Sequence, residues 1–68
     1  MKITVKFLRD DKTKEFILNN DSTVTHLFDT INMDPDTAVI IRNKSPIPLD
    51  TILHDGDELT VLIVTSGG

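Results

Sequence analysis

Cysteine is absent from this chain of 68 residues. That absence excludes disulfides, thiolate nucleophiles, zinc–thiolate sites and iron–sulfur clusters together, and makes a reducing cytoplasm the expected setting. Trp and Tyr are absent too, and with only three Phe there is no aromatic platform on which bases could stack. Basic residues are few: seven against eleven acidic ones, a net charge of −4 at pH 7. Affinity for phosphate backbones rests largely on Lys and Arg releasing counterions, so no nucleic-acid partner is expected. Long apolar runs are missing as well. Nothing approaches the roughly 20 residues that cross a bilayer as a helix, and the opening MKITVKFLRD alternates instead of forming the continuous apolar stretch of a signal peptide. A soluble protein with no membrane partner is the expectation. A single domain of this length buries only about 60% of the surface its unfolded chain exposes, so the core must be thin.

What is present is a clear succession of periodicities. Met1, Ile3, Val5 and Phe7 alternate with Lys2, Thr4 and Lys6, the pattern of a strand with one buried face. The charged segment Arg9–Lys14 follows, and Glu15-Phe16-Ile17-Leu18 resumes a β-rich run, which predicts an antiparallel hairpin. Val24, Leu27, Phe28 and Ile31 then fall at i, i+3, i+4 and i+7, on one side of a helix of roughly ten residues. Thr23 is the expected cap. The helix must stop before Asp34-Pro35, because proline pushes the preceding residue out of the α region.

Ala38-Val39-Ile40-Ile41 is a continuous, mostly β-branched run, a strand whose buried phase the pattern leaves open. Neither proline of Ser45-Pro46-Ile47-Pro48 can donate to a ladder, which rules that segment out as a regular central strand. Leu49 to Leu53 reads as a turn-rich crossover. Asp55-Gly56-Asp57 is a turn signal, since glycine takes positive φ freely and aspartates bond nearby backbone. From Leu59 to Val64, the residues Leu59, Val61 and Ile63 suit the core while Leu62 and Val64 point the other way. The order is strand, strand, helix, strand, crossover, strand. It is an α+β, β-grasp arrangement: a mixed four-stranded sheet with one main helix packed on one face, the first and last strands side by side and parallel. The folded body is expected over residues 1–64, with 65–68 as a flexible tail.

The segment VIIRNKSPIPLDTILHDGDELTVLIVTSGG resembles the C-terminal half of the ubiquitin-like sulfur carriers of the ThiS and MoaD type, and the archaeal small modifier proteins. The shared features are a strand ending in Asn (Ile41-Arg42-Asn43), an Asp before an apolar crossover (Asp50, Leu53), Asp55-Gly56-Asp57, an apolar strand, and a closing Gly67-Gly68. One departure is Lys44-Ser45-Pro46, where the family often has a glycine after the Asn.

The resemblance implies that a ubiquitin-activating-type enzyme uses ATP to adenylate the carboxylate of Gly68. Sulfur is then delivered to give a thiocarboxylate, which a sulfur-accepting enzyme consumes, or a lysine amine of a target protein is acylated. The chain would bind no cofactor and would not itself be an enzyme. Gly68 carries the chemistry, Gly67 gives access to a narrow channel that a Cβ would block, and Thr65 and Ser66 supply reach. Leu62, Val64 and Leu8 are the candidate partner-binding patch, since exposed apolar patches mark interaction sites. The competing placement tucks Leu62 or Val64 against the crossover residues Ile47, Leu49 and Ile52.

Other chemistry finds little support in the residues. His26 and His54 lack the i, i+4 partner or cysteine neighbours of a zinc site, the acidic residues lack EF-hand spacing, and Ser22, Ser45 and Ser66 sit in no nucleophile turn. Two readings of different class therefore stand: a carrier or modifier activated at Gly68, and a non-activated β-grasp protein-interaction module whose Gly-Gly is incidental.

Overall fold

The computed structural model describes residues 1–64. Strand β1 spans Lys2–Phe7 and buries Ile3 and Val5 completely, as its alternation requires. It pairs antiparallel with β2, Lys12–Ile17, in a register that sets Ile3 opposite Phe16 and Val5 opposite Lys14. The hairpin is thus longer than expected. Lys12, Thr13 and Lys14 already belong to the ladder, because β2 is an edge strand and its charged side chains lose no hydration there.

Helix α1, Val24–Thr30, buries Val24, Leu27 and Phe28 against the sheet. At seven residues it is shorter than the expected ten, and its end has a local cause. Asn32 adopts φ 57°, in the left-handed region. Its N–H donates to the Asp29 carbonyl at 3.2 Å and that of Met33 to the Phe28 carbonyl at 3.0 Å. This is a Schellman closure with asparagine where glycine is commoner. Thr23 is the N-cap residue: its backbone N–H donates to Nδ1 of His26 at 2.9 Å, so His26 belongs to the helix start.

A short 3₁₀ turn, Pro35–Thr37, leads into β3, Ala38–Arg42. Asn43 and Lys44 both take positive φ, 53° and 67°, as a two-residue hairpin turn of type I′ demands. Lys44 does this although glycine takes such a conformation at less cost. The turn returns the chain along β3 as β4, Ser45–Ile47. The sheet therefore has five strands among the described residues, where four were expected. Pro46 is tolerated because β4 lies at the rim, so the loss of one donor breaks no interior ladder.

The crossover docks on the helix start. Val24 N–H donates to the Thr51 carbonyl, Thr25 N–H to that of Leu49, and Leu53 N–H to that of Ser22. This delivers Leu53 into the core at 1% exposure. Gly56 then turns the chain at φ 87°, and β5, Glu58–Ile63, runs between β1 and β3. The order across the sheet is β2-β1-β5-β3-β4, with β5 parallel to β1 and antiparallel to β3. Between sheet and helix lies one apolar cluster in which Ile3, Val5, Leu27, Phe28, Ile40, Leu59 and Val61 are essentially without solvent contact. The α+β β-grasp arrangement with parallel first and last strands is the observed one.

Candidate functional site

Among the described residues no helix covers the other face of the sheet. Successive strand residues point to opposite faces, so with Leu59 and Val61 buried, Thr60 and Leu62 must face outward. Leu62 is 40% exposed and Val64 47%. Two neighbours extend the apolar surface. The register that pairs Phe7 with Val61 carries Leu8 to the flank of Leu62, where its N–H reaches the Val61 carbonyl at 3.4 Å and its side chain stays 44% exposed. On the opposite flank Val39 pairs directly with Leu62, and Ile41 with Thr60. Leu62 and Val39 thus lie side by side on adjacent strands, with Leu8, the residue that follows β1, on the other flank and Val64 at the end of the row.

Reading the residues identified Leu8, Leu62 and Val64 but missed Val39. The continuous run at 38–41 hid the phase of β3. The pairing with β5 fixes it, burying Ala38 and Ile40 and turning Val39 outward, half-buried. The competing placement of Leu62 against the crossover is excluded by topology. The crossover bonds to the helix start on the covered face, while Leu62 lies on the open one.

The end of the described chain is tied to the start of β3 by one backbone hydrogen bond. Val64 N–H donates to the Thr37 carbonyl at 2.8 Å, just before β3 begins. Residues 65–68 therefore follow a backbone point fixed beside the apolar row. Thr65, Ser66, Gly67 and Gly68, expected to supply reach, access and the reactive carboxylate, lie outside the described residues.

The opposite end of β5 is fastened by the Asp-Gly-Asp turn. Asp57 accepts from Arg42 Nη1 at 3.1 Å and from the His54 N–H at 2.8 Å, and its own carbonyl accepts from Thr4 N–H at 3.0 Å. Asp55 accepts from the Lys2 N–H at 2.7 Å, and the Lys2 carbonyl accepts from Gly56. One turn thus ties the starts of β1 and β5 to the end of β3. The Arg42–Asp57 pair is partly buried on both sides, and fifteen residues of separation kept it out of reach of local sequence reading. At the surface, Lys2 Nζ lies 2.8 Å from the Glu15 carboxylate, whose hydrogen bond and charge hold the ammonium above its usual pKa. Such an exposed pair adds little to stability.

Nothing in this arrangement resembles a catalytic centre. Among the described residues no three His, Asp or Glu side chains converge on a common point; the His26 ring accepts from the α1 cap N–H, and His54 joins the turn through its own backbone N–H. Among the described residues no helix is long and apolar enough to cross a membrane.

Comparison with known proteins decides what kind of molecule this is. The sequence model of the family described as Small archaeal modifier protein 2 matches residues 1–65. The chain belongs to that family. It is a small ubiquitin-like modifier and not an enzyme. An uncharacterized protein of Archaeoglobus fulgidus is 28% identical over 68 residues, covering all of both chains. Among solved structures the modifier is similar in fold to SAMP1 from Haloferax volcanii, with a TM-score of 0.74 at 20% identity and full coverage of both chains. It is also similar to a ubiquitin of Caldiarchaeum subterraneum, with a TM-score of 0.75 at 19% identity, covering all of this chain and 98% of the other.

Proposed function

We propose that the modifier is activated at the carboxylate of Gly68. A ubiquitin-activating-type enzyme binds the folded body through Leu8, Leu62 and Val64 and threads residues 65–68 toward its ATP. The Gly68 carboxylate oxygen attacks the α-phosphorus of ATP, pyrophosphate leaves, and an acyl-adenylate forms. A carboxylate resists nucleophiles because resonance and negative charge protect its carbon; AMP gives it a leaving group. Attack by hydrosulfide on the acyl carbon then yields a thiocarboxylate for delivery to a sulfur-accepting enzyme. Attack by a lysine ε-amine of a target protein yields an isopeptide. Either step expels AMP. The modifier needs no acid, base or metal of its own, since its contribution is a slim backbone arm that another protein's pocket positions for reaction. ATP is the activating enzyme's substrate, and the reducing cytoplasm is the setting that suits a cysteine-free carrier.

The observation that carries this reading is the family match over residues 1–65, leading directly into Ser66-Gly67-Gly68. The fixed exit at Val64 beside the apolar row supports it, because a partner that grips the row finds the arm within reach. Intact-mass spectrometry tests it. After incubation with the cognate activating enzyme, ATP and a sulfur source, a gain matching one oxygen exchanged for sulfur is expected, or isopeptide-linked Gly-Gly remnants on other proteins. If neither product forms with a working enzyme, the chain is a non-activated interaction module instead.

A further inference from the structure

The apolar row has a polar neighbour on the open face. Two residues back along β1 and β5, the same registers assemble a second row: Thr13 on β2 pairs with Lys6 on β1, Lys6 with Thr60 on β5, and Thr60 with Ile41 on β3. A two-residue step along a strand is roughly 6–7 Å. The Lys6 row therefore lies directly against the row of Leu8, Leu62 and Val39. Thr4, Lys6, Thr13 and Thr60 line a trough of about 530 Å³, which Glu58 and the Arg42–Asp57 pair also line.

The charges in and around this trough are unevenly matched. Arg42 is held by Asp57, and Glu15, diagonal to Lys6 across the β1–β2 ladder, is held by Lys2. Lys6 is exposed and forms no ion pair among the described residues, and neither does Glu58, which stands opposite Thr4. Unlike those of Thr25, Thr30 and Thr37, the hydroxyls of Thr13 and Thr60 donate to no protein acceptor among the described residues.

We infer that the partner covering the apolar row seats a carboxylate side chain in this trough, against the Lys6 ammonium and within reach of the Thr13 and Thr60 hydroxyls. This rests on the activation reading, in which that partner is the activating enzyme, and it names a group by which the enzyme recognises the folded body. Desolvation is the reason. A stable interface covers about 800 Å² on each partner, more than four apolar side chains fill, so a body laid over Leu8 and Leu62 extends over Lys6 one row away. An ammonium covered without a counter-charge is strongly unfavourable. A carboxylate has two oxygens that only accept, which matches one ammonium and two hydroxyl donors. In a chain of net charge −4 an acidic group is repelled elsewhere, so Lys6 also fixes where the partner docks.

The test is pyrophosphate–ATP exchange by the cognate activating enzyme, followed against modifier concentration. Lys6→Glu is expected to raise the half-saturating concentration by about tenfold or more with the maximal rate unchanged. Lys6→Gln raises it by a smaller factor, and Lys6→Arg keeps it near that of the unaltered chain. Added salt raises the half-saturating concentration of the unaltered chain more than that of Lys6→Gln, because screening weakens only a charge that is present. Lys6 is exposed, so the thermal transition is unchanged in all three variants. Glu58→Gln leaves half-saturation unchanged or lowers it, since it removes a carboxylate that repels the incoming one. Half-saturation of Lys6→Gln equal to that of the unaltered chain, or raised as much by Glu58→Gln as by Lys6→Gln, overturns this inference and leaves activation at Gly68 standing. No exchange by the unaltered chain overturns both.

Discussion

Leu59 and Leu62 are the same residue type, three positions apart on one strand, and they do opposite work. Leu59 faces α1 at 2% exposure and belongs to the core; Leu62 faces away from it at 40%. The difference shows how a modifier of this size divides its few apolar residues. One face of β5 holds the body together, and the other is left open to solvent, where the proposed partner would meet it. Because side chains alternate, a single central strand serves both purposes without compromise, and its position between β1 and β3 lets both flanks contribute to each face.

The sharpest way to break the comparison is to truncate the covered side. Leu59→Ala is expected to cost about 2–5 kcal/mol, the transfer term plus the cavity that rigid neighbours leave behind. For a domain this small that is much of the total stability, and urea denaturation measures it directly. A loss no larger than that of an exposed alanine substitution would mean that the two faces are not distinct.

The turn that registers β5 between its neighbours comes next. Asp57→Ala removes the acceptor shared by Arg42 and the His54 N–H, and hydrogen bonds to a charged group are worth roughly 1.5–3 kcal/mol. Thermal unfolding should fall accordingly. An unchanged transition would indicate that the Asp-Gly-Asp turn holds its shape without this carboxylate.

The smallest effect on stability belongs to the open side. Leu62→Asp is expected to cost no more than about 1 kcal/mol, the span of strand propensities, while weakening binding to the activating enzyme. Isothermal calorimetry beside the urea curve separates the two readouts. A loss as large as that of Leu59→Ala would place Leu62 in the core.

Much of this division was legible in the residues. The alternations in β1 and β5 and the helical spacing of Val24, Leu27, Phe28 and Ile31 each name their buried face, because one-sided burial leaves a periodic trace. The apolar row was partly visible for the same reason: Leu62 and Val64 are apolar at positions where polar residues were due. What stayed hidden depended on partners distant in the chain. The run at 38–41 carries no alternation, so Val39 declared its face only once paired with Leu62. Strand β4 was obscured by Pro46 and the Pro48 that follows it, since proline excludes an interior strand but allows one at the rim. The beginning of β2 was masked by charges that an edge tolerates. Nothing local joined Arg42 to Asp57.

The central claim is that the reactive group is the Gly68 carboxyl and that the folded body presents it. Exchange of labelled pyrophosphate into ATP, catalysed by the cognate activating enzyme, reads acyl-adenylate formation without dependence on later steps. The full chain is expected to support exchange, Leu62→Asp to require a higher modifier concentration for it, and deletion of Gly68 to abolish it while leaving the thermal transition unchanged. Undiminished exchange with the chain lacking Gly68 would contradict the claim outright.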